Sequence, residues 1–210
     1  MIGRFLSAVA FAGLGYALPL LGSGALEHDF RPWLAMTSAF LLVFAQPTLS
    51  KKEALATRAH DRGSAPLIMA LSLGSQIAAS LELRAGTAVH AAAVGCGVAL
   101  VLLGSAIRIA AIRTLGQAFT ASVRVEPDHR LVQHGLYRQL RHPSYLGALL
   151  ALLGVPVLFS AWWATGLTLL TMSFAYTRRI RLEERALLER HGAAYRDYRA
   201  RTARLVPGVW

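Results

Sequence analysis

SYLGALLALLGVPVLFSAWWATGLTLLTMSFAYT, residues 144–177, runs for 34 residues without a charged side chain. As one straight helix it would measure about 51 Å, too long for a single crossing of a hydrocarbon core about 30 Å thick and too short for two full crossings with a turn. Gly154, Pro156 and the Ser160-Ala161-Trp162-Trp163 stretch interrupt it near the middle. The run therefore predicts a helical hairpin whose two ends return to the same side of a membrane.

The rest of the chain supports a membrane reading. Of its 210 residues, 55% are hydrophobic and 16% charged, and the mean hydropathy is +0.45; soluble domains carry about 25% charged residues. Charges gather in clusters, leaving further uncharged runs at 5–24, 33–50, 66–81 and 88–107. Each predicts one crossing. No persuasive cleavage site lies near 20–26, so the first run is read as a retained helix and not a signal peptide. The expected fold is an all-α integral membrane protein: four transmembrane helices, the hairpin, and a cytoplasmic juxtamembrane helix. Ala91, Gly95 and Ala99, four apart in the fourth run, predict a face for close helix contact. The single cysteine, Cys96, is read there as a small packing residue and excludes an intramolecular disulfide. No metal site is expected.

A net charge of +11 raises the question of nucleic acid. With the N-terminus cytoplasmic, the external turns 25–32 and 82–87 hold only Arg31 and Arg84, and the other basic residues fall on the cytoplasmic side. That is the positive-inside pattern. Residues 178–204 alone carry nine arginines against four acids, a surface suited to anionic lipid headgroups. No DNA- or RNA-binding motif accompanies the charge, so membrane lipids are the expected partner and nucleic acid is not.

Chemistry concentrates beyond residue 104. In GLYRQLRHPSYLG, residues 135–147, Pro143 suits the first turn of the hairpin helix and holds Arg141 and His142 at the membrane boundary. From composition alone, a snorkelling arginine and an interfacial histidine would explain the pair. RRIRLEERALLERHGAAYRDYRARTARLVP, residues 178–207, begins as a helix. Glu183 can pair with Arg179 four residues earlier on a solvated face. Glu184 has Ile180 and Leu188 as its neighbours four away, and a carboxylate on an apolar stripe needs a partner, either a cationic ligand or an arginine from another segment.

Together these stretches resemble the isoprenylcysteine carboxyl methyltransferase family of integral membrane enzymes, whose mark is Arg-His-Pro, a variable stretch, then Glu-Glu. Here those residues are Arg141, His142, Pro143, Glu183 and Glu184. The similarity extends upstream through Arg108, Gly116, Phe119, His129, Leu131 and Val132 to Gly135 and Tyr137, and downstream through Gly192, Tyr195, Tyr198, Arg201 and Pro207. Leu136 departs from it, standing where the family often has proline.

The resemblance implies S-adenosylmethionine as methyl donor, bound at the cytoplasmic face; no G-x-G-x-x-G between a strand and a helix contradicts this. It places His129, Leu131, Tyr137, His142, Pro143, Tyr145, Gly147 and Glu184 around the cofactor, and Arg108, Arg141, Glu183 and Arg201 in the catalytic group. Arg108, read at the cytoplasmic end of the fourth helix, and Arg201 would hold an acceptor carboxylate. The acceptor expected is a lipophilic compound entering from the bilayer, a prenylated cysteine or similar. Relatives of this pattern also methylate lipid amines or small thiols, and membrane reductases share a related layout, though a Glu-Glu pair suits a sulfonium better than an anionic dinucleotide. The whole chain, 1–210, is read as one membrane methyltransferase domain, with N-terminal helices in 1–87 and the cofactor-binding and catalytic core in 88–210.

Overall fold

The computed structural model describes residues 2–44, 63–116, 131–206 and 208. Among them, regular structure is helical apart from a single bridge between Leu140 and Ala203. Helix α1, Ile2–Ala12, continues through a π-helical turn, Gly13–Ala17, into Leu18–Leu20. A single turn, Ala25–His28, leads to α2, Arg31–Phe44. Then come α3, Ser64–Arg84, and α4, Ala91–Leu115. The remaining helices are α5, Pro143–Leu158, α6, Trp162–His191, and α7, Ala193–Ala200.

Two of these, α3 with 21 residues and α4 with 25, are long and apolar enough to cross a membrane; Phe5–Leu20 and Pro143–Leu158 are shorter apolar helices. The end of the 33–50 run lies outside the described residues. Expectation and structure agree on the hairpin, which turns at 159–161. Ser160 adopts φ 57° there, a backbone unusual for a residue with a side chain. The turn is held from both sides. Ala161 N–H donates to the Pro156 carbonyl (2.8 Å), Ser160 Oγ accepts from His90 N–H (3.2 Å), and the Glu82 carboxylate accepts from Ala164 N–H (2.9 Å) and Trp163 N–H (3.3 Å). Glu82 thereby satisfies two donors that the start of α6 leaves open.

Three readings need correction. The juxtamembrane helix is no separate element: no glycine or proline occurs between Leu167 and His191, so the second hairpin arm runs on for 30 residues until Gly192, φ 53°, ends it. The α4 helix likewise continues past residue 107, through Ile109-Ala110-Ala111-Ile112, so Arg108 sits well inside it and not at its end. The third concerns the α4 contact face. Ala91, Gly95, Cys96 and Ala99 are exposed; the buried stripe is Ala93, Gly97, Val101 and Gly104.

That stripe meets α5 at backbone distance. A Cβ on Gly97 would stand 2.3 Å from Leu158 N, on Gly104 2.4 Å from Ala151 N, on Gly147 2.5 Å from Arg108 N, and on Gly154 2.7 Å from Val101 N. Only hydrogen fits at these crossings. Gly147, expected at the cofactor, is one of them, and its lack of a side chain is what brings Arg108 against the start of α5.

In the apolar interior, neutral polar groups repair irregular backbone. Pro156 has no N–H for the Leu152 carbonyl; Gln76 Nε2 stands 3.4 Å from that oxygen, while its Oε1 accepts from Tyr16 Oη (3.1 Å). In the π-helical turn the Gly15 carbonyl accepts from Ser80 Oγ at 2.9 Å. The two arginines of the expected external turns are also held, Arg31 by Asp29 (2.6 Å) and Arg84 by the Pro19 and Leu21 carbonyls (3.0 and 3.1 Å).

Candidate functional site

The residue before a proline is kept out of the helical region, and His142, with φ −130° and ψ 53°, lies outside it. The residues just before Pro143 find a partner near the C-terminus. Arg141 N–H donates to the Ala203 carbonyl (2.8 Å), His142 N–H to the Arg204 carbonyl (3.1 Å), and Ala203 N–H to the Gln139 carbonyl (3.0 Å), a short parallel pairing. Tyr198 Oη adds a bond to the Tyr137 carbonyl at 2.7 Å. Gly192 lets α7 fold back so that this tail lies beside the start of α5.

The two adjacent acids, about 100° apart on α6, enter different surroundings. Glu184 is 5% exposed. Its Oε1 accepts from Arg141 Nε (2.9 Å) and Arg204 Nε (3.2 Å), and its Oε2 from Arg204 Nη2 (2.8 Å). His142 Nε2 lies 3.5 Å from Oε1, an electrostatic contact whose geometry is not that of a hydrogen bond. Burial pushes the Glu184 pKa up, but His142 and the two guanidinium groups outweigh it and hold the carboxyl well below the usual range. Arg141 also donates to the Thr202 carbonyl and to that of Arg199.

Glu183 is half-buried and accepts from Tyr145 Oη at 2.8 Å. The expected exposed Arg179–Glu183 pair is replaced by a buried arrangement. Arg179, 5% exposed, donates to Tyr145 Oη (3.3 Å) and to Ser64 Oγ on α3 (2.8 Å), with Glu183 in electrostatic reach. Tyr145 lies between His142 and Tyr176, with ring centroids at 5.7 and 5.3 Å. On the α4 side, Arg108 Nη1 donates to Ser144 O and Oγ, both at 3.1 Å. The charges of Arg108 and Glu183 both act on Tyr137 and Tyr145, so four segments converge here.

Chemically, the convergence offers a carboxylate and tilted, neighbouring aromatic rings to a cation and a guanidinium to an anion. Burial, together with Glu183, raises the Tyr137 pKa, and burial lifts the Tyr198 pKa to about 12; at neutral pH both are hydrogen-bonding phenols and not bases. His142 is 4% exposed and its Nε2 has no hydrogen-bond partner among the described residues, unusual for a buried donor or acceptor.

The other expected residues fall as follows. Pro143 is buried at the first turn of α5. Leu131 is half-buried before the Gly135–Arg138 turn, and His129 lies outside the described residues, as do Phe119 and Pro207. Arg201 donates to Gln133 Oε1 and, with Gln133, Arg138 and Tyr198, lines a cleft of about 420 Å³. Reading the sequence missed Tyr176, Arg204 and Thr202. Tyr176 had a signal, an aromatic residue at the charged end of the apolar run; Arg204 was one arginine among nine.

Residues 97–189 match the Isoprenylcysteine carboxyl methyltransferase (ICMT) family. The resemblance carried by Arg141, His142, Pro143, Glu183 and Glu184 was to this family. A probable protein-S-isoprenylcysteine O-methyltransferase of Oryza sativa subsp. indica is 35% identical over 104 residues, 49% of this chain and 54% of the relative. Protein-S-isoprenylcysteine O-methyltransferase A of Arabidopsis thaliana is 36% identical over 116 residues, 54% of this chain and 58% of the relative. That of Saccharomyces cerevisiae is 34% identical over 127 residues, covering 54% and 48%. The chain thus spans about half the length of the curated relatives it matches. The fold is also that of a solved eukaryotic intramembrane Ras methyltransferase, ICMT, with TM-score 0.60 and 20% identity over 96% of this chain and 75% of that one.

Proposed function

We propose that this chain is an integral membrane enzyme that transfers a methyl group from S-adenosylmethionine to a lipophilic acceptor in the bilayer, the carboxylate of a prenylated cysteine or a close analogue. The observation that carries the reading is the convergence of Glu183, Tyr145, Tyr176, Tyr137 and Arg108 at the base of a bent apolar hairpin, in a chain whose curated relatives are named protein-S-isoprenylcysteine O-methyltransferases.

The residues fit the donor. S-adenosylmethionine supplies an electrophilic methyl on a sulfonium, a cation that a carboxylate and aromatic faces accommodate. Glu183, Tyr145 and Tyr176 provide that surface, His142 brings a buried nitrogen able to hydrogen-bond a ligand, and Tyr137, Leu131 and His129 belong to the same segment.

Methyl transfer to a carboxylate needs alignment more than proton transfer. An α-carboxylate, with an unperturbed pKa of about 3.5, is already ionised at neutral pH, and neutral phenols suffice around it. Arg108, which bonds Ser144 at the α4–α5 crossing, would hold the acceptor's oxygens, and Arg201 would add a second cation beside the 420 Å³ cleft. Orientation and exclusion of water then carry the rate.

In this reading both termini and the site face the cytoplasm, the first four apolar runs cross once each, and the acceptor enters sideways from the bilayer. Trp163, 88% exposed at the hairpin tip, suits the opposite headgroup interface. The chain acts as one unit, its first 87 residues supporting the core that follows. Incubating the purified protein in lipid nanodiscs with S-adenosylmethionine labelled in its methyl group and an N-acetylated prenylcysteine tests the proposal. The expected product is the labelled methyl ester; label on an amine or thiol acceptor alone would exclude the carboxylate.

A further inference from the structure

A carboxylate that is to meet a cationic ligand must have room for it. Both oxygens of Glu184 already take guanidinium hydrogen bonds, two from Arg204 and one from Arg141, and only 7% of its side chain is accessible. Bringing a sulfonium there would add a positive charge beside two others or displace Arg204 from a two-point contact. Glu183 has more room, and the guanidinium in its reach, Arg179, is directed to Tyr145 and Ser64. Glu183 is half-buried, and the hydrogen bond it takes comes from the neutral Tyr145 hydroxyl.

The groups on Glu184 share a second property: they join segments far apart in the chain. Arg141 belongs to the strip before α5 and Arg204 to the tail after α7. The same strip and tail are paired through backbone bonds at 139–142 and 203–204, and Arg141 also reaches the Thr202 carbonyl. Leu205, the next residue, is buried in the apolar cluster of Ala148, Met172, Tyr176 and Ile180. The tail is thus anchored by an apolar side chain, a backbone pairing and a two-point ion pair, and it lies against the peptide that presents His142.

We infer that Glu184 is a positioning residue, which with Arg141 and Arg204 clasps the tail to the Arg141–His142 strip, while Glu183 keeps the place at the donor's cation that the proposed function gives it. The inference rests on the methyl-transfer reading for the role of Glu183; the clasp itself does not. Its effect on chemistry is indirect. It fixes His142 and the first turn of α5, and through them Tyr145 and Ser144, the residue that holds Arg108.

A comparison of two ligands separates the roles. S-adenosylmethionine carries the sulfonium charge and S-adenosylhomocysteine, a neutral thioether at the same position, does not. Affinities for both are measured by calorimetry on the full chain in detergent, for wild type, Glu183→Gln, Glu184→Gln, Arg204→Gln and Arg204→Lys. Glu184→Gln and Arg204→Gln should weaken both ligands by one common factor of about 10, the scale of losing a partner that orients a ligand-contacting group, and Arg204→Lys should recover part of the loss. Glu183→Gln should weaken the cationic ligand preferentially. Hydrogen exchange in peptides covering 139–142 and 201–205 should rise together in Glu184→Gln and Arg204→Gln. Selective loss of S-adenosylmethionine affinity in Glu184→Gln, or tighter binding in Arg204→Gln, overturns the assignment. Unchanged exchange in both peptides overturns the clasp. If Glu184→Gln does not fold, the two Arg204 variants read the same ratio. Wild type that binds neither ligand defeats the methyl-transfer reading, and the exchange measurement still decides the clasp.

Discussion

Two of the buried polar junctions among the described residues are built from different chemistry. In the apolar interior Gln76 links the π-helical turn after α1 with α3 and α5 through Tyr16 and the Leu152 carbonyl, with no formal charge. At the base of the hairpin Glu184 links α6, the Arg141–His142 strip and the tail through two guanidinium groups. In the membrane arrangement proposed above, the difference follows depth. A charge at the centre of a membrane helix costs about 2.5–3.5 kcal/mol on insertion scales, whereas near the headgroups water and snorkelling lower that cost. Amide and hydroxyl groups are the affordable connectors in the interior, and ion pairs the stronger ones at its edge.

The sharpest way to break the base without touching a charge is through the glycines that position it. Gly147→Leu forces a side chain into the Arg108 backbone, which cannot move aside. It should cost about 3 kcal/mol or more, read as loss of the monodisperse peak in gel filtration or a large fall in melting temperature. Gly95→Leu, where nothing lies within 4 Å, should leave both unchanged; the opposite ranking would mean that α4 presents the other face.

Next is Arg108. Arg108→Leu should cut turnover by about 100-fold or more, since a misplaced nucleophile loses its proximity advantage. S-adenosylhomocysteine affinity should stay within about twofold. Arg108→Lys keeps the charge but not the planar fork and should fall between. Full activity of Arg108→Leu on a prenylcysteine would remove the carboxylate clamp.

These two residues also measure what the sequence discloses. The hairpin is legible because an apolar run of the wrong length, broken by Gly154 and Pro156, admits few foldings. The close-contact face of α4 is not legible: Ala91, Gly95 and Ala99 are as small and apolar as Ala93, Gly97 and Gly104, so no periodicity distinguishes them, and the α5 partner decides. Glu184 is legible as a carboxylate in need of a partner, because Ile180 and Leu188 flank it. Which partner it takes depends on pairing Leu140 with Ala203, more than sixty residues apart. Local patterns do not carry such a contact, and Arg204 could not be told from the other arginines.

Acid should act on one junction and spare the other. The folded-state pKa of Glu184 lies below its ordinary value, so its contribution to stability is complete above the unfolded carboxylate pKa of about 4.3 and is lost as pH falls toward the lowered folded value. The melting-temperature difference between wild type and Glu184→Gln should therefore stay constant from pH 8 to about pH 5 and shrink below about pH 4. A difference that already narrows between pH 7 and 6 would mean that the carboxyl is not held by its guanidinium partners.

The smallest effect tests the neutral junction. Gln76→Leu removes the donor that faces the Leu152 carbonyl and the acceptor of the Tyr16 hydroxyl. Interhelical hydrogen bonds in membranes are worth about 0.6 kcal/mol on average, and the two groups left behind are buried, so a loss of about 1 kcal/mol is expected. Pro156→Ala restores an N–H four residues after Leu152, and with it the ordinary helical partner of that carbonyl. In this background Gln76→Leu should cost less than it does alone, because only the Tyr16 hydroxyl is then unpaired. A double-mutant cycle in thermal unfolding reads the coupling. If the two substitutions add without coupling, Gln76 does not stand in for the missing proline donor, and the junction holds through Tyr16 alone.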